Sequence, residues 1–198
     1  GCYAFGMRGG VIRWKRGVAS TGVKQALNYA LGGTCDASLK SVSGPAGAAA
    51  AASYSGEQMH RFIVEDGQIT GDDLTRDGLR AWIEGKDPET GQLRGRDISS
   101  PQADLLLDST INAPKSFSVA ALLDEDLAEA YEGLQDRLRD RIIVAWQREL
   151  NARRGAAGSI RENLSRIEVV ELKHERSRSL DPHKHRHLWL NVKVLGED

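Results

Sequence analysis

The sequence predicts an α+β fold, an antiparallel β-sheet covered on one face by helices, and four stretches carry that expectation. Between Asp124 and Arg153, residues Leu127, Tyr131, Leu134, Leu138, Ile142, Ala145 and Trp146 recur at three- and four-residue steps. That is the period of an amphipathic helix of about seven turns packed on a sheet. Ile167–Leu172 and Leu188–Leu195 alternate or run apolar, with Val, Ile and Trp, as strands do. They are expected to pair as neighbours across the connection 177–184. Leu105-Leu106-Leu107-Asp108-Ser109-Thr110-Ile111 reads as a further buried strand that delivers one acid from an apolar run. Helices and strands that segregate in this way favour an antiparallel sheet with helices laid over it.

The other elements follow in chain order. Residues 2–14 read as a short strand broken by glycines. Ser20-Thr21 and Gly32-Gly33 bracket a short helix over 22–31, a hydroxyl start and a glycine stop. Residues 34–53, rich in Ala, Gly and Ser and carrying Pro45, are expected to form a flexible loop inside one domain spanning 1–198. His60–Val64 is a strand or a helix start. Thr75–Glu84 carries Leu79, Trp82 and Ile83 at helical spacing and suits a short surface helix. Asp87-Pro88-Glu89-Thr90-Gly91 is a turn. Ser116–Leu123 is apolar enough for a buried helix. Asp124-Glu125-Asp126 suit the positive end of the long helix, and Arg153-Arg154-Gly155 its stop.

Composition narrows the function classes. At 198 residues, 40% hydrophobic and 28% charged, the chain is of ordinary globular type and can build a core without staples. No apolar run approaches the ~18 residues of a membrane span. The start, with Arg8, Arg13, Lys15 and Arg16 among glycines, does not resemble a signal peptide. Cys2 and Cys35 form neither a disulfide framework nor a zinc motif, so a reducing cytoplasm is the expected location. The net charge is only −1, yet residues 1–35 hold five basic side chains and no acid, and 161–193 hold eight against five. Two basic ends brought to one face would suit a polyanion.

The stretch 174–191 concentrates the chemistry. His174, His183, His185 and His187 lie within fourteen residues. His185 and His187 share one face of a strand, because successive side chains alternate. His174 precedes the Asp181-Pro182 turn signal, so a neighbouring strand can supply a third imidazole, with His183 as the competing choice. Three imidazoles that leave positions open describe a reactive divalent-metal site better than a closed structural one. The competing reading is a basic, solvated hairpin.

These residues meet a known pattern. H-E-x-S-R-x-x-D-P-x-x-H-x-H at 174–187 resembles the three-histidine motif of HUH-type relaxases of conjugative plasmids, the MobF class in particular. Asp108 ahead of Ala113-Pro114-Lys115-Ser116 looks like a second motif of that class, and Tyr29 sits where the class carries its nucleophilic tyrosine. The resemblance implies the palm-like sheet of that family and a metal held by His174, His185 and His187, with Mg²⁺ or Mn²⁺ expected and Zn²⁺ as an alternative. It also implies attack by Tyr29 on single-stranded DNA at a transfer origin in the bacterial cytoplasm, leaving a 5′-phosphotyrosyl adduct and a free 3′-hydroxyl. Asp108 would orient a histidine or take the tyrosine proton. Lys115, Arg176 and Arg178, with Arg13 and Arg16 of the basic start, would contact phosphates, Trp14 would stack on a base, and other relaxosome proteins would be partners.

The chain departs from the family in carrying one tyrosine on the first helix, with Tyr54 the next along. It also ends soon after the histidines, which suggests a shortened piece. No G-x-x-x-x-G-K-[ST] is present. A rolling-circle initiator nickase, a histidine-metal hydrolase and a non-catalytic DNA-binding module are the competing functions.

Overall fold

The computed structural model describes residues 11–32, 59–97, 99–176 and 182–196. The expected loop at 34–53 therefore lies outside the described residues, as does most of the glycine-broken strand. The first described elements are strand β1 (Val11–Lys15) and helix α1 (Thr21–Gly32). Then come β2 (Met59–Glu65), β3 (Gln68–Asp73), α2 (Arg76–Ile83), β4 (Asp104–Asn112), α3 (Lys115–Leu123) and α4 (Glu125–Glu149). The remainder is β5 (Asn151–Arg154), β6 (Ile160–Arg176), β7 (Pro182–Asn191) and β8 (Leu195–Gly196).

The main sheet runs β1-β4-β7-β6-β2-β3, with β5 and β8 pairing along the early part of β6, and every pairing is antiparallel. The α+β architecture and the β6–β7 hairpin match the sequence reading. The position of the helices does not, because they cover both faces. On one face, Val23, Ala26 and Leu27 of α1 and Leu79, Trp82 and Ile83 of α2 pack against Leu106, Val170, Leu172 and Trp189. On the other, Ile143 of α4 meets Ile111, Ile167, Val169, Leu188 and Leu190. The unbroken apolar pairs and triplets Val169-Val170 and Leu188-Trp189-Leu190 require this, because each sends side chains to both sides of the sheet.

Three helices differ from expectation in which side they bury. Helix α2, capped by Thr75 Oγ1 accepting from the Gly78 N–H at 3.0 Å, is no surface helix: Leu79 and Trp82 are fully buried. Helix α3, expected to be buried, buries only Ser118 and Ala121 and leaves Leu122 and Leu123 in solvent. It crosses the end of the sheet, where Ser118 Oγ accepts the Lys184 N–H at 2.8 Å. Helix α4 starts as expected, with Asp124 accepting from the Leu127 N–H at 3.1 Å. It stops at Glu149 because Asn151–Arg154 pairs with β6. Its buried positions are Tyr131, Gln135, Ile143 and Gln147, while Leu127 and Leu134 are exposed.

Polar residues face inward on α4 because the sheet presents charge there. Arg186 and Glu171 are each 1% exposed. The Arg186 guanidinium donates to Gln135, Asp136 and Glu171 and to both the carbonyl and the carboxylate of Glu132. Arg139 reaches Glu171 from the helix at 3.2 Å. Burial alone would lower the Arg186 pKa, but the charges of Glu171, Glu132 and Asp136 outweigh it and hold the value above the ordinary one.

Helix α1 is set by a close approach. Gly22 N–H donates to the Arg16 carbonyl at 2.8 Å, and a Cβ at Gly22 would fall 1.7 Å from the Lys15 carbonyl oxygen. Only glycine lets the helix begin this near β1.

Candidate active site

The site lies on the α1 side of the central strands. His185, His187 and Trp189 alternate onto that face of β7. Register places His174 of β6 opposite His185, and Asp108 of β4 opposite Trp189. Residues directly opposite in an antiparallel pair share a face, so three strands converge on one spot. His174, His185 and His187 are buried, their ring centroids lie 4.8–5.3 Å apart, and one ligand nitrogen from each falls within 4.8 Å of the others.

Hydrogen bonds fix two of the tautomers. His185 Nδ1 lies 2.7 Å from the His183 carbonyl, which can only accept, so Nδ1 carries the proton and Nε2 keeps a lone pair. His187 Nδ1 lies 2.8 Å from Asp108 Oδ1, with the same consequence when the acid is ionised. The second Asp108 oxygen accepts from Trp14 Nε1 at 3.3 Å. Of the two roles open to Asp108, the geometry is that of orienting a histidine. A divalent ion fits this set, since three buried imidazoles each offer one ligand nitrogen and these nitrogens lie within 4.8 Å of one another.

Tyr29, half-buried on α1, reaches the same point from above the sheet. Its hydroxyl donates toward His187 Nε2 at 3.0 Å, and its ring sits 5.6 Å from that of His174. Trp189 stacks on it at 6.2 Å and Trp14 tilts against it at 5.5 Å. His183 is on β7 as well, since the strand starts at Pro182, but its ring stacks outside His185 at 5.0 Å. His174 completes the set in its place.

The expected phosphate contacts are more scattered. Lys115 opens α3 in solvent, three residues beyond Asn112, which lies opposite His185. Arg13 alternates onto the far face of β1 and approaches Asp104 at 3.8 Å. Arg16 donates to the Ser99 carbonyl at 3.0 Å and ties down the segment ahead of β4. Arg176 ends β6, and Arg178 lies outside the described residues. Trp14 is not the exposed stacking platform the sequence suggested: it packs beneath Tyr29 and bonds Asp108. That role gives no signal in sequence, because it depends on how β1 registers against β4.

Comparison with known proteins matches residues 45–198 to the TrwC relaxase family. The chain belongs to that family. The family match includes Asp108 and all three clustered histidines but begins after α1, so Tyr29 enters the site on geometry alone. The fold is also that of solved TrwC structures. One is the conjugative relaxase TrwC in complex with oriT DNA, metal-free: 19% identity over 93% of this chain and 56% of that one, TM-score 0.61. Its metal-bound form matches at 19% identity, 93% and 56% coverage and TM-score 0.60. TrwC with a 27-mer DNA comprising the recognition hairpin and the cleavage site matches at 18%, 93%, 55% and 0.59. The chain thus spans a little over half the length of these relatives. No curated protein sequence matches it. Among the described residues of this family member, no helix is long and apolar enough to cross a membrane.

Proposed function

We propose that this relaxase-family chain nicks single-stranded DNA at a conjugative transfer origin by transesterification, with Tyr29 as nucleophile. The observation that carries the reading is the 3.0 Å approach of the Tyr29 hydroxyl to a histidine of the metal-competent triad. The TrwC structures that share the fold hold oriT DNA, one of them with metal bound. In the proposed step the Tyr29 oxygen forms a bond to phosphorus and the P–O3′ bond breaks. The phenol loses a proton and the departing 3′ oxygen gains one. One phosphodiester replaces another, so the bond energy is kept for rejoining.

A phenol ionises near pH ~10, so it is a weak nucleophile unless a nearby cation or base assists. A divalent ion on His174, His185 and His187 would supply Lewis-acid charge to the phosphate oxygen that becomes more negative. Asp108 keeps the His187 proton on Nδ1, and the Trp14–Trp189 pair holds the Tyr29 ring over the triad. Lys115, Arg176, Arg178, Arg13 and Arg16 are the candidate phosphate contacts. This reading locates the chain in the bacterial cytoplasm, with other relaxosome proteins as partners. Imidazole donors bind later first-row ions more tightly than Mg²⁺, so Mn²⁺ and Zn²⁺ belong beside Mg²⁺ in the assay.

The test is incubation with a randomised pool of 3′-labelled single-stranded oligonucleotides and each ion. The expected product is a labelled adduct that survives SDS and disappears in Tyr29→Phe. Cleavage that persists in Tyr29→Phe would mean a metal hydrolase instead.

A further inference from the structure

We infer that Trp14 is a positioning residue that ties the nucleophile to the metal ligands, an inference that rests on the nicking function proposed above. Trp14 lies at the end of β1, where the pairing with β4 shifts register between Trp14 and Lys15. An irregularity of this kind re-aims the side chain beside it. Trp14 pairs with Leu106, and its indole reaches diagonally to Asp108, two residues along β4.

Asp108 is 3% exposed and has two oxygens to satisfy in a buried place. His187 Nδ1 takes Oδ1 at 2.8 Å and Trp14 Nε1 takes Oδ2 at 3.3 Å. Without the indole N–H, the carboxylate keeps one directional side-chain partner among the described residues and is free to rotate about its own axis. The proton on His187 Nδ1 then loses its fixed acceptor, and the Nε2 lone pair its fixed direction. Outer partners of this kind set ligand orientation as firmly as the ligands themselves.

The same indole carries Tyr29. The two rings lie 5.5 Å apart at 54°, and Trp14 also meets Trp189 at 5.8 Å. Tyr29 thereby rests against two tryptophans that also touch each other, with its hydroxyl directed at His187. One side chain therefore governs two properties separately: its N–H acts on the ligand set and its ring on the nucleophile. Phe at this position keeps the ring and removes the N–H, while Leu removes both.

Two measurements on the intact chain separate the roles. Mn²⁺ titration by calorimetry, without DNA, reads the ligand set. Single-turnover adduct formation on the randomised 3′-labelled pool, at saturating Mn²⁺, reads the nucleophile. Trp14→Phe is expected to weaken Mn²⁺ binding by about tenfold, the low end for an outer-sphere partner. Trp14→Leu is expected to weaken Mn²⁺ binding equally and to slow the saturated rate by at least tenfold, because small misplacements of a reacting group are heavily penalised. Mn²⁺ affinity in Trp14→Phe equal to wild type overturns the inference, as does a wild-type saturated rate in Trp14→Leu. A role in packing alone lowers thermal stability and leaves the Mn²⁺ affinity of Trp14→Phe unchanged. Should Trp14→Leu fail to fold, the milder Phe variant decides. A wild-type chain that binds Mn²⁺ but forms no adduct removes the nicking function, and the Mn²⁺ titrations still decide the link from Trp14 to the ligands.

Discussion

Replacing Arg186 with Met tests whether the charged layer beneath α4 holds the ligand strand in place. The guanidinium makes five hydrogen bonds to four residues, at 2.6–3.2 Å. These partners do not lose equally. Glu132 and Asp136 have side chains 38% and 46% exposed and can turn to water. Glu171, at 1%, cannot, and among the described residues it keeps only Arg139, which donates to both carboxylate oxygens at 3.2 Å. Removing one partner of a buried ion pair costs about 3–5 kcal/mol. The surviving Arg139 contact puts the expectation at the lower end, about 3 kcal/mol. Urea unfolding of wild type, Arg186→Met, Glu171→Leu and the double variant measures this directly. The double variant is expected within about 1 kcal/mol of wild type, since an apolar pair of similar volume replaces a buried ion pair at little loss. A single-variant loss below about 1 kcal/mol, or a double variant no more stable than Arg186→Met, would refute the account.

Other expectations rest on single contacts. Asp108→Asn offers His187 either a neutral acceptor or an amide that forces the wrong tautomer, so Mn²⁺ affinity by calorimetry should fall about 10–100-fold; an unchanged affinity would mean that Asp108 does not orient His187. Gly22→Ala brings a Cβ to 1.7 Å from the Lys15 carbonyl, so α1 must move and Tyr29 with it; adduct yield should collapse while Mn²⁺ binding persists, and wild-type yield would show that α1 is not held there. Burial works to raise the Asp136 pKa, but the Arg186 hydrogen bond and the charges of Arg186, Arg139 and Lys173 prevail and lower it. Its stabilising contribution is thus present above the ordinary carboxylate pKa of about 3.9 and lost as pH falls through the depressed value. Urea midpoints of Asp136→Asn should therefore lie below wild type at neutral pH and converge on it in acid, and parallel curves would contradict this.

What could be read from the sequence depended on whether a signal was local. The 127–146 periodicity located α4, but Leu127 and Leu134 drew the eye to the wrong stripe. The stripe that packs holds Gln135, Arg139 and Gln147, and nothing local to the helix reveals that Arg186 and Glu171 await it across the sheet. The spacing of His185 and His187 gave their shared face outright, because alternation is a property of any strand. His174 needed the hairpin register, and the turn signal at Asp181-Pro182 was enough to suggest it. Asp108 was visible as an acid in an apolar run, but its choice between histidine and tyrosine depended on β4 pairing with β7. The expectation of one covered face overlooked Leu188-Trp189-Leu190, where a half-buried strand would have alternated. Trp14 was beyond reach, since its partners lie up to 175 positions away along the chain.

Strand β7 divides its work by alternation: His185, His187 and Trp189 face the site, while Lys184, Arg186 and Leu188 face α4. A slip of one residue against β6 would exchange the two sets, driving histidines into the charged layer and Arg186 into the ligand site. Apolar packing resists such a slip weakly here, because Leu188, Trp189 and Leu190 are apolar in either register. The polar partners of Arg186 are not interchangeable in this way, so the hypothesis is that the network serves register more than stability, a use that buried ion pairs have in some proteins. Stability and register then separate in the Arg186→Met, Glu171→Leu double variant. Its urea midpoint should return to near wild type while its Mn²⁺ affinity stays lowered, because a strand free to sample a second register presents His185 and His187 together for only part of the time. Full Mn²⁺ affinity in a stable double variant would show that the hairpin and its apolar neighbours set the register unaided.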